Sequence, residues 1–139
     1  MTPELKARWV ADLRDPNNKQ GHNVLRKIDG PDDKPEYSYC CLGRLCIVAG
    51  AHFNEYSEEV DTDDGLDYRD YDNRPVRNGV NLADGDEENL SPAFMREIDL
   101  KPAQADTLIA MNDGSVNPDG TKNPPKDFPF IATWIEENL

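Results

Sequence analysis

Between residues 55 and 88 the chain holds thirteen carboxylates against three arginines, a local balance of −10. The only aliphatic side chains larger than alanine there are Val60, Leu66, Val76, Val80 and Leu82. A stretch so charged cannot bury enough apolar surface to order itself. The core is therefore expected from the two flanks, with 55–88 as a long, acidic, loop-rich insertion. One turn signal stands inside it: "VRNGV" carries the Asn-Gly pair of a tight hairpin.

The flanks read as alternating helix and strand. In "TPELKARWVADLR", Thr2 can cap a helix, Pro3 suits its first turn, and Leu5, Trp9 and Leu13 share one face. "HNVLRKI" (22–28) and "EYSYC" (36–40) alternate as strands around the turn-rich "DGPDDKP", which predicts an antiparallel pair. From Cys41 to Ala49 the apolar spacing turns helical, and Gly50 is placed to stop it. Three later helices are expected. "LSPAFMREIDL" starts at Ser91 and turns Phe94, Met95 and Ile98 inward. "KPAQADTLIAMNDG" runs to Gly114. "DFPFIATWIEENL" is capped by Asp127 and striped by Phe130, Ile131, Trp134 and Ile135. At 139 residues this is one domain of the α+β class, about four helices packed on a small antiparallel sheet.

A net charge of −13 repels nucleic acid and anionic membrane and favours a basic protein partner. No apolar run reaches the roughly 20 residues of a membrane span. The start, "MTPELKARWV", lacks the order of a secretory signal. Three cysteines, an odd number, suit a reduced cytoplasmic compartment.

All three cysteines fall in "YCCLGRLC" (39–46), and four readings compete. Zinc would need about four ligands, drawn from Cys41, Cys46, His52 and either His22 or Cys40, at irregular spacing and with no C-x2-C pair. A nucleophile at Cys40 or Cys41 would profit from a helix N-terminus, but its base would have to be His22 or His52, and His52 lies past the far end of that helix. A Cys40–Cys41 disulfide would be strained. The fourth reading, small apolar side chains filling the corner between strand and helix, is favoured; it requires no metal, cofactor or catalytic residue.

Certain residues together carry a resemblance. Trp9 and Leu13, then Gln20, Leu25 and Arg26, then Tyr39 to Gly43 with Leu45 and Cys46, then Leu108 and Met111 to Asp113, and finally Phe128, Ile131, Ala132, Ile135 and Glu136 resemble a group of small phage- and prophage-encoded proteins. The match spans both ends of the chain and skips its acidic middle. It implies a phage accessory protein made in the bacterial host cytoplasm, and it brings no activity with it.

"DTDDGLDYRDYD" fails as a calcium loop, because with Asp61 first the glycine falls at position 5 and Asp72 at position 12. Interleaved with tyrosines, the same carboxylates could imitate nucleic-acid phosphates before a basic groove. The expected function is non-enzymatic: binding and inhibition of a host factor, plausibly a nucleic-acid-handling defence complex. The interface residues would be Glu58, Glu59, Asp61, Asp63, Asp64, Asp67, Tyr68, Asp70, Tyr71 and Asp72. The alternative is a binder that sequesters a host signalling nucleotide. It would draw on Arg26, Lys27 and Tyr39 from a basic set that also includes Arg8, Arg14 and Lys19. A thiol-dependent enzyme is the third reading. "LSPAFMREIDLKPAQADTLIAMND" could pass for a helix-turn-helix, but its few basic residues make it ordinary helical packing.

Overall fold

The computed structural model describes residues 1–31, 33–53, 73–85 and 87–139. The fold is α+β. Five helices are present among the described residues: α1 (Pro3–Arg14), α2 (Cys41–Val48), α3 (Pro92–Glu97), α4 (Pro102–Asp113) and α5 (Phe128–Asn138). Among the described residues the strands form three small antiparallel sheets. β1 (Arg26–Asp29) pairs with β2 (Glu36–Tyr39). β3 (His52–Phe53), β4 (Pro75–Arg77) and β5 (Val80–Asn81) form the second. β6 (Ser115–Val116) and β7 (Lys122–Asn123) form the third.

The expected caps are in place. Thr2 accepts from the Leu5 amide, Ser91 from Phe94 and Asp127 from Phe130, so each helix start has a partner for an otherwise orphaned N–H. Gly50 and Gly114 end their helices at φ +98° and +83°. The Asn78-Gly79 pair turns the β4–β5 hairpin with both φ angles positive, as a type I′ turn requires.

One contiguous core gathers Trp9 and Leu13 from α1, Leu42, Leu45 and Cys46 from α2, Leu108 from α4, and Ile131 and Ile135 from α5. Three expectations need correction. The first strand begins at Arg26, not His22. Asn23, at φ +74°, bends the chain there, and its amide is bound by the Asp113 carboxylate at 2.9 Å. The inward stripe of α5 is Phe128, Ile131, Ala132 and Ile135, whereas Phe130 is half exposed beneath the Lys126 ammonium and Trp134 is only partly buried. The insertion also contributes to the core: Pro75, Leu82 and Ala83 are buried, so its end from Asn73 onward is structural.

Candidate functional site

The cysteine corner is interior. Cys40 caps α2, its sulfur accepting from the Gly43 amide at 3.4 Å, and Cys41 and Cys46 face the core. Burial pushes the Cys40 thiol up to about 12 and the Cys41 and Cys46 thiols well above their usual range. A buried thiol in this state is protonated at neutral pH, so the helix terminus does not yield a thiolate nucleophile. His52 is exposed on β3, and His22 bonds the Asn112 carbonyl through Nδ1 at 2.7 Å. Among the described residues no three His, Cys, Asp or Glu side chains cluster as metal ligands would. Gly43 explains the tightness of this corner: a Cβ there would lie 2.0 Å from the Leu25 carbonyl oxygen.

The separate "YCCLG" and "MND" motifs converge on Asn112, which is fully buried. Its Oδ1 accepts from the Cys41 amide and from Gln20 Nε2, both at 3.1 Å. Its Nδ2 donates to the Gly21 carbonyl and to Asp113 Oδ1, both at 2.8 Å. Gln20 donates again to the Lys126 carbonyl at 2.8 Å, and Trp9 Nε1 donates to the Cys41 carbonyl at 2.9 Å. Every hydrogen-bonding position of the Asn112 amide is used. In the sequence Asn112 stands near the end of the helix that runs to Gly114. The signal that it is interior was its place on the Ala105–Leu108 stripe of α4, at helical spacing.

A second constellation joins the sheets. The Arg26 side chain is 3% exposed. Its guanidinium lies over the Tyr37 ring at 4.6 Å and the Phe53 ring at 5.0 Å. Its Nε donates to Asn73 Oδ1 at 2.6 Å, and Asn73 Nδ2 donates to the Arg26 carbonyl at 2.7 Å. Burial lowers the guanidinium pKa, opposed by Tyr39, Tyr37 and Glu87. Tyr39 packs edge-on against Phe53, and Arg44 lies over Tyr39 while forking onto the Asp12 carboxylate with two 2.7 Å bonds. Lys27, next along β1, is exposed. Arg26, Lys27 and Tyr39 therefore do not share one open surface: Arg26 is interior, Lys27 is exposed and Tyr39 is half-buried.

Phe53 and Asn73 flank residues 54–72. Of the acidic interface set, Glu58, Glu59, Asp61, Asp63, Asp64, Asp67, Tyr68, Asp70, Tyr71 and Asp72 all lie outside the described residues. The points of departure and return are described: Phe53 and Pro75 are register partners in neighbouring strands. Further along, Glu87 is structural, its carbonyl accepting from the Leu25 amide and its carboxylate meeting Arg74. Elsewhere, a groove of about 560 Å³ runs along α1 between Pro3 and Arg14. Its basic residues, Lys6 and Arg14, are both engaged by Glu136.

No helix among the described residues is long and apolar enough to cross a membrane. No curated protein and no solved structure matches the chain. One family model does match, over residues 1–139, so the whole length of this chain belongs to the family described as a domain of unknown function, DUF8296.

Proposed function

We propose that the protein is a non-enzymatic accessory protein of phage origin, acting in the bacterial host cytoplasm. It binds a basic groove on a host protein through its acidic segment and so inhibits it; a nucleic-acid-handling defence complex is the target class whose groove such a segment would suit. One observation carries the reading. Residues 54–72 hold nine carboxylates against Arg69 alone, a balance of −8, and they connect two strands that are already hydrogen-bonded neighbours.

Joining paired antiparallel strands needs only about two residues. Lengthening such a turn roughly tenfold costs about 2 kcal/mol of closure entropy, and crowding carboxylates adds self-repulsion. A segment kept at this cost fits one retained for an interface. Charge of one sign also raises the rate of encounter with a basic partner. The anionic-ligand reading has less support, because the Arg26 guanidinium is covered by aromatic rings and Lys27 stands apart from it.

The test begins with capture of the host partner by the tagged protein. Association is then measured across salt for wild type, for a variant with Glu58, Glu59, Asp61, Asp63, Asp64 and Asp67 changed to their amides, and for Lys27→Gln. The proposal expects fast, salt-sensitive association by wild type, slower association by the amide variant, and an unchanged or higher melting temperature for it. Undiminished binding by the amide variant together with loss in Lys27→Gln would replace the acidic-face reading with the anionic-ligand one.

A further inference from the structure

We infer that Arg26 is a positioning residue, tying the two ends of the acidic connection to each other and to the helical core. Its meaning for binding rests on the reading above; its structural claim does not. The guanidinium stacks on Phe53, the last described residue before the connection, and bonds Asn73, the first after it. The Asn73 amide returns a bond to the Arg26 main chain, so its side chain holds Arg26 by both backbone and side chain. The guanidinium also lies over Tyr37 of β2. From Phe53 the contacts continue through Tyr39 and Arg44 to Asp12 of α1. Hence β1, β2, β3 and the residue leading into β4 meet at one planar cation.

The pairing it secures is short. Among the described residues β3 has two residues, and it meets β4 through two register pairs. A ladder of that length is marginal alone, and a long charged connection between its strands pulls against it. A planar, fork-shaped cation against two rings suits such a junction better than an ammonium, because it stacks and hydrogen-bonds in fixed directions.

The experiment follows backbone hydrogen exchange in the full-length protein without a partner, in wild type, Arg26→Lys, Asn73→Ala and the double variant. Arg26→Lys keeps the charge and loses the planar stack. Asn73→Ala changes no charge and removes only a half-buried side chain. Each single change is expected to speed exchange at His52, Phe53, Val76 and Arg77 by roughly tenfold, with α1 and α5 exchanging as in wild type. The double variant should exceed neither single by more than about twofold, because the two residues act as one unit. Faster exchange spread equally over α1 and α5 would make Arg26 an ordinary core residue and overturn the inference. So would an Asn73→Ala protein with wild-type exchange in β3 and β4. Failure of the acidic-amide binding test would leave these exchange results standing, so the two claims fail separately.

Discussion

Replacing Asn112 by Asp changes one NH₂ to an oxygen and tests the buried knot directly. The acceptor side is preserved, since a carboxylate oxygen can still take the Cys41 and Gln20 bonds. The donor side is reversed. An oxygen now faces the Gly21 carbonyl and the Asp113 carboxylate, each 2.8 Å from the original nitrogen. If the new carboxyl is protonated it can donate to one of these, and the other is left without its bond, at a cost of about 1–3 kcal/mol. If it ionises, a charge sits beside two acceptors in a fully buried position. Its pKa must therefore rise on folding above the unfolded value of about 3.9. A carboxyl with a raised folded pKa loses stability as pH climbs past the unfolded pKa. The loss is up to about 1.4 kcal/mol per pH unit, until the folded pKa is reached. By pH 7.5 the added loss could approach 5 kcal/mol, comparable to the whole stability of many small domains. Urea titrations read by tryptophan fluorescence between pH 5.5 and 7.5 measure this, with wild type at each pH as reference. Trp9 is a suited reporter, being buried and bonded to the Cys41 carbonyl. A difference that is flat with pH, or below about 1 kcal/mol throughout, would refute the account of Asn112 as a sealed, fully bonded amide.

Gly43→Ala should destabilise by more than about 2 kcal/mol in the same titration, despite alanine's better helix propensity, because the new Cβ meets the Leu25 backbone at 2.0 Å. The native thiols should react with a small disulfide reagent far more slowly than the urea-unfolded chain, which should release three equivalents. Since burial raises the thiol pKa values, the thiols' contribution to stability should be constant below about pH 8 and fall above it as the unfolded thiols ionise. Rapid native labelling would overturn the packing role. Ile135→Ala should cost about 2–5 kcal/mol, and Phe130→Ala under about 1 kcal/mol, because the first is fully buried and the second half exposed. Equal losses by thermal melting would reverse the assigned face of α5.

Helix positions and caps were legible because they depend on local chemistry. Ser, Thr and Asp before a Pro-led apolar run, and Gly after it, mark a helix wherever the chain later goes. The Asn-Gly hairpin was legible for the same reason. The α5 stripe was misjudged by a fraction of a turn: in "FPFIATWI" aromatic residues stand on two faces, and the positions of α1 and α4 decide which is covered. The meeting of "YCCLG" with "MND" could not be read from either motif, because hydrogen bonds between residues 71 to 92 apart leave no periodic trace. Arg26 was read as one of a basic set that could hold an anionic ligand. Its burial depends on Phe53 and Asn73 being brought together across the connection, a tertiary event. The acidic character of residues 55–88 was plain, while the structural use of Pro75, Leu82 and Glu87 within it was not.

The Asn112 knot also bears on how the chain reaches its native state. Its bonds to Gln20, Gly21 and Cys41 each close a loop of more than half the chain, so distant segments must already be brought together before they can form. They belong on the native side of the folding barrier, when α1, α2 and α4 have already met. A substitution at Asn112 should then leave the refolding limb of a chevron nearly unchanged and raise the unfolding limb by almost the full loss of stability. In that case Asn112 acts as a latch: it contributes little to how fast the protein folds and much to how long each molecule stays folded.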